Sequence, residues 1–118
     1  MIEDKDFVMR IISRIGALLR LILKGQTERA TEMEVEDALS ELAGLPTTML
    51  LSMSADSVLT LLQKQPNPDS VALSGVLLVI KGRLAKNEAF ESTGRRLISS
   101  LNQDALSPEV RDMIASLG

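Results

Sequence analysis

The stretch that decides the fold is SVALSGVLLVIKGRLAK, residues 70–86. Its centre, Val76-Leu77-Leu78-Val79-Ile80, is continuous, apolar and rich in β-branched residues, and taken alone it reads as a buried strand. Three features point to a helix instead. The run from Val71 to Leu84 is too long for one strand, and no hairpin turn splits it. Gly75 and Gly82 stand seven apart, which puts both on one helical face where a neighbouring helix can approach closely.

The flanks of this stretch continue the helical pattern. Before it, Pro66-Asn67-Pro68-Asp69 removes two backbone donors and disfavours helical dihedrals in the preceding residues, which predicts a loop with Asp69 as the cap of the next helix. After it, a hairpin partner is expected from about Asn87 to Asn102, with Phe90, Leu97, Ile98 and Leu101 facing inward. A last helix is marked by Ser107 as cap, Pro108 at the first helical position, and Val110, Met113, Ile114 and Leu117 at helical spacing.

Towards the N-terminus, Phe7 to Lys24 predicts a helix with an apolar arc of Val8, Ile11, Ile12, Ile15, Leu18, Leu19, Ile22 and Leu23. Its opposite edge carries Arg10, Arg14, Arg20 and Lys24 and no acid. The arc spans about half the circumference, wider than the roughly 100° stripe of a simple surface helix, so this helix is expected to be the central one. Asp4 or Asp6 can cap it, and Gly25 is placed to take a left-handed turn at its end.

The charge then reverses. Glu28, Glu32, Glu34, Glu36, Asp37 and Glu41 stand against Arg29 alone, on a second helix that Gly44 and Pro46 end. Two helices joined so closely imply an antiparallel hairpin whose basic and acidic flanks attract each other. Thr47 and Thr48 open a short helical turn through Met53, and Ser54 caps a helix carrying Val58, Leu59, Leu61 and Leu62.

Composition agrees with an all-α chain. The 118 residues fit one domain, 1–118, and are 45% apolar with Phe7 and Phe90 as the only aromatic residues, so Leu, Ile, Val, Met and Ala must build the core. The expected architecture is about six helices in antiparallel hairpins, tetratricopeptide-like or an orthogonal bundle. No apolar run approaches the ~18 residues of a membrane span, the first residues lack a basic secretory leader, and cysteine is absent. A cytoplasmic protein is expected.

Three segments carry a resemblance: Asp6-Phe7-Val8-Met9-Arg10-Ile11-Ile12, then Leu39…Leu42-Ala43-Gly44-Leu45, then Leu77…Gly82…Glu88-Ala89…Arg96-Leu97. Together they are similar to a family of small bacterial proteins of unknown function. The resemblance implies fold and not activity: an all-helical chain with hairpins like those of tetratricopeptide repeats, with no assigned catalytic residues to carry over. Gly82 and Gly94 stand twelve apart, as do the small residues where paired helices of such a repeat touch, but no second copy is present.

The chemistry of the chain is sparse. Without His or Cys, a zinc site would need carboxylates alone, and a serine nucleophile has no base of the usual kind, so an enzyme is not expected. Glu34, Asp37 and Glu41 share a helical face but lack the histidine of di-iron bundles and the glycine turn of calcium loops, and read as a solvated face. No phosphate-binding glycine loop is present, and neither metal nor cofactor is expected. Lys81, Arg83, Lys86, Arg95 and Arg96 form a second basic group, yet a net charge of −3 and the lack of stacking aromatics weigh against nucleic acid.

The remaining expectation is a non-catalytic protein–protein interaction or scaffold protein, forming a homodimer. The first helix and the Val76–Ile80 helix carry apolar surface that a partner would cover. The interaction surface is then expected at Arg10, Arg14, Arg20, Lys24, Val76, Val79 and Ile80. The alternative is a peripheral membrane protein that lays helix 7–24 on the lipid surface, although Asp4, Asp6 and the acidic second helix oppose anionic lipid.

Overall fold

A computed structural model describes residues 5–25, 29–65 and 67–117. They form seven α-helices: α1 Lys5–Leu23, α2 Arg29–Ala43, α3 Thr47–Ser52, α4 Ala55–Gln63, α5 Pro68–Ala85, α6 Glu88–Ser99 and α7 Pro108–Ser116. A 3₁₀ turn at Gln103–Ala105 precedes α7, and no strand occurs among the described residues. Asp4, Glu28 and Pro66, and the side chains of Asp6, Phe7, Val8, Leu23, Arg29 and Thr47, lie outside the described residues.

The decisive stretch is a helix, and it is the middle of the molecule. Every residue of α5 from Ser70 to Gly82 is buried, and α5 touches α1, α2, α4, α6 and α7. A helix apolar on all sides has no face to offer water, so its neighbours must surround it. This corrects the expectation that the first helix is central. Helix α1 buries Ile11, Ile12, Ile15 and Leu18 against α2, α5 and α7 but keeps its basic edge outward. The breadth of its arc reflects contact with three neighbours from one side of the core.

Helix α5 starts earlier than the Pro-Asn-Pro-Asp stretch suggests. Pro68 is already helical, because the first turn has no use for the backbone N–H that proline lacks. Asn67 is the cap, its side chain accepting from Asp69 N at 2.9 Å. Asp69 instead reaches across the fold, where its Oδ1 accepts from Ser107 N at 2.9 Å and so fixes the start of α7. Ser107 holds the cap position as expected, but its hydroxyl makes no cap hydrogen bond. Ser54 does cap α4, accepting from Ser57 N at 3.2 Å. Gly25 and Gly44 both take left-handed conformations at helix ends, as their positions imply.

The two helices of the α5–α6 hairpin approach closely, and glycine makes it possible. A Cβ added to Gly94 would lie 2.5 Å from Gly75 O and 2.8 Å from Val79 N; one added to Gly82 would lie 2.5 Å from Glu91 N. The close neighbour expected beside Gly75 and Gly82 is therefore α6. Gly82 and Gly94 do not face each other, however, since Gly94 meets Gly75 and Gly82 meets the start of α6.

A polar bridge joins the far side of α5 to the α2 end. Gln65 Nε2 donates to Leu42 O at 2.6 Å, satisfying a carbonyl in the last turn of α2. Ser74 Oγ lies 3.2 Å from Gln65 Oε1 and 2.9 Å from Ser70 O, so this buried hydroxyl is not left unsatisfied.

Candidate interaction surface

The seven residues expected to meet a partner separate into two groups. Val76, Val79 and Ile80 are 0%, 0% and 2% exposed, which removes them from any surface of the folded chain. The apolar excess that suggested a dimer through α5 is covered by α2 and α6 of the same chain. Arg10, Arg20 and Lys24 are exposed, and Arg14 is half-buried with its Nη1 3.1 Å from Glu41 Oε2. That ion pair is the attraction between the basic and acidic helices which their charges imply. At this partly solvated edge it contributes about 0–1 kcal/mol.

The second basic group is also dispersed. Lys81 is buried, with Nζ 2.5 Å from both Glu32 Oε1 and Glu36 Oε2 of α2. Burial alone lowers the proton affinity of such an ammonium group. The hydrogen bonds and charges of the two carboxylates outweigh it, so Lys81 titrates above the ordinary lysine value. Arg83 donates from Nη2 to Leu117 O at 2.6 Å, tying down the end of α7, and its Nε lies 3.4 Å from Glu91 Oε2. Lys81 and Arg83 thus hold the fold together.

The outward side of the hairpin is the α4–α6 face. In α6, Thr93, Gly94, Leu97 and Ile98 turn inward, with Phe90 half-buried, and the 3.6-residue period then leaves Glu88, Ser92, Arg95, Arg96 and Ser99 exposed. Asn87 starts the helix by accepting from Ala89 N at 3.0 Å. In α4, Val58, Leu59 and Leu62 are buried, while Asp56, Ser57 and Thr60, and Lys64 at the helix end, are exposed. The two helices pack together, and Arg96 Nη1 reaches Asp56 Oδ1 at 3.3 Å across the seam.

An open hollow of about 730 Å³ runs along α6 beside Glu88, Ser92, Arg95, Arg96, Ser99 and Ser100. A smaller one of about 370 Å³ lies on α4 beside Asp56, Ser57, Thr60, Leu61 and Lys64. Guanidinium groups, carboxylates and hydroxyls in this arrangement can exchange charge-assisted hydrogen bonds with a facing surface. Ser100 Oγ donates to Leu97 O at 2.7 Å, which places it in the helix-end pattern of a structural hydroxyl. Glu34, Asp37 and Glu41 are exposed, and no group of three or more potential metal ligands converges among the described residues.

The sequence contains a signal for the Lys81 cluster, though none for the α4–α6 face. A lysine inside a helix with no polar side needs a counter-charge, and Glu32 and Glu36 stand one turn apart on the acidic helix. Comparison with protein families, with characterised proteins and with solved structures finds no match to this chain. What stands of the expected resemblance is the fold class, since the described residues of this small protein are all-helical. No helix among the described residues is long and apolar enough to cross a membrane.

Proposed function

We propose that this protein acts without catalysis, as an interaction module whose contact surface is the α4–α6 face. The observation that carries this reading is the face itself. Two adjoining helices, braced by the Arg96–Asp56 pair, present open hollows lined by charged and hydroxyl side chains. Such a rim of Arg, Ser and Thr beside carboxylates suits a polar protein surface better than a small ligand, which needs a deeper, more apolar cleft. The tight α5–α6 hairpin behind the face supports kinship with tetratricopeptide-like hairpin proteins as a single unit.

The membrane-surface reading of α1 has less support. Of its described residues, Ile11, Ile12, Ile15 and Leu18 are buried against α2, α5 and α7, and those left exposed are Met9, Arg10, Ser13, Ala17 and Arg20, with Lys24 just beyond the helix. Lipid insertion would require that arc to leave the core.

A photoreactive amino acid placed in the native cell at Ser92 or Thr60, and for comparison at Arg111 on the exposed side of α7, tests the proposal. Protein adducts are expected at positions 92 and 60 and not at 111. Equal labelling at all three, or none, refutes it.

A further inference from the structure

We propose that the occupant of this face is a second copy of the chain, with the two α6 helices antiparallel about a two-fold axis at Ser92; this rests on the reading of the face as a contact surface. The charges of α6 are segregated. Glu88 and Glu91 stand in its first turn and Arg95 and Arg96 towards its end. A partner that matches both halves must carry the same charges in reverse order. A two-fold axis supplies that order from the chain itself, since an isologous interface sets one patch against its own copy.

With the axis at Ser92, positions four before and four after it face each other. Glu88 then meets Arg96 of the second copy, twice by symmetry, whereas a parallel arrangement would set Glu88 against Glu88. Glu88 is exposed and makes no ion pair with any described residue. Among the described residues Arg96 is paired with Asp56, whose side chain is 87% exposed, and a guanidinium with five donors can serve two carboxylates. Ser92 at the axis and Ser99 further along are small, which lets helices approach. Helix α6 is about 18 Å long at 1.5 Å per residue, so the interface is of the small, concentration-dependent class.

The chain has no cysteine, which gives a clean probe. Under mild oxidation of the full chain, Ser92→Cys should form a disulfide dimer rapidly, while Ser57→Cys on α4 and Glu109→Cys on α7 should not. In sedimentation experiments, Glu88→Arg alone and Arg95→Glu with Arg96→Glu should each weaken wild-type self-association by about tenfold or more. Mixing the two variants should restore it, and circular dichroism checks that each is folded.

A wild-type chain that stays monomeric at high micromolar concentration, with Ser92→Cys no faster than its controls, overturns the inference. So does a dimer indifferent to the charge changes, or one that mixing does not restore. If the purified chain is monomeric while the cellular crosslinker at position 92 captures a different protein, the second copy is excluded and the reading of the face survives.

Discussion

Replacing glycine by alanine at two positions should move stability in opposite directions, and the structure sets both signs. Gly16 lies within α1 and Gly94 within α6, so either change gains about 1 kcal/mol of helix propensity. At Gly16 the new methyl would meet only Met113 Cε at 3.8 Å, an ordinary contact, and the gain is kept. At Gly94 it would stand 2.5 Å from a carbonyl oxygen and 2.8 Å from a backbone nitrogen of α5. Neither atom can rotate away, so the helices must separate by about 0.5–1 Å, which forfeits a quarter to a half of the contact energy along the seam.

Overpacking of this kind costs typically 1–3 kcal/mol. Because the obstacle is backbone, the upper figure applies, and the net loss at Gly94 is about 2 kcal/mol. Urea and thermal unfolding followed at 222 nm should both show Gly16→Ala more stable and Gly94→Ala less stable than wild type, the thermal midpoints shifting by about +4 °C and −8 °C. A Gly94→Ala chain as stable as wild type would refute the account of the α5–α6 contact.

The Lys81 cluster gives two further expectations. Lys81→Met removes the cation held between Glu32 and Glu36 and should cost about 3 kcal/mol, while Lys81→Met with Glu32→Leu and Glu36→Leu should be close to neutral or stabilising; chemical denaturation of both variants measures this. Since folding raises the pKa of Lys81, its contribution is complete below the unfolded value, about 10.4, and is lost as pH climbs through the higher folded value. The stability gap between wild type and Lys81→Met should therefore be flat from neutral to mildly alkaline pH and narrow only beyond it. Lys86 ends α5 at φ 54°, so Lys86→Gly should raise stability by about 1 kcal/mol in the same assay.

Local grammar in this chain is legible because its causes are local. The helix over residues 70–86, the left-handed Gly25 and Gly44, the Ser54 cap and the Arg14–Glu41 attraction all arise from neighbours in sequence or from the adjoining helix. The rank of the helices is not local. An apolar arc measures how much of one helix avoids water, whereas centrality depends on what else must be covered, and α5 needs cover on every side. Lys81 disguises this, since a lysine in sequence reads as a surface residue until Glu32 and Glu36 are brought to it. Asp69 misleads for the same reason, its partner Ser107 being distant in sequence. The α6 face shows only an ordinary polar periodicity, and its place beside α4 is a product of tertiary packing.

The all-round burial of α5 also constrains how the chain is made. As synthesis proceeds from the N-terminus, α1 to α4 emerge before α5, but they cover only part of it, and α6 is needed to close the remaining side. Once α5 has emerged, and until α6 follows it, the Gly75 and Val79 side of α5 is open to solvent or to a chaperone. Only Lys86 and Asn87 separate α5 from α6, so that vulnerable interval is brief. The short hairpin thus guards a helix buried on every side during its own birth.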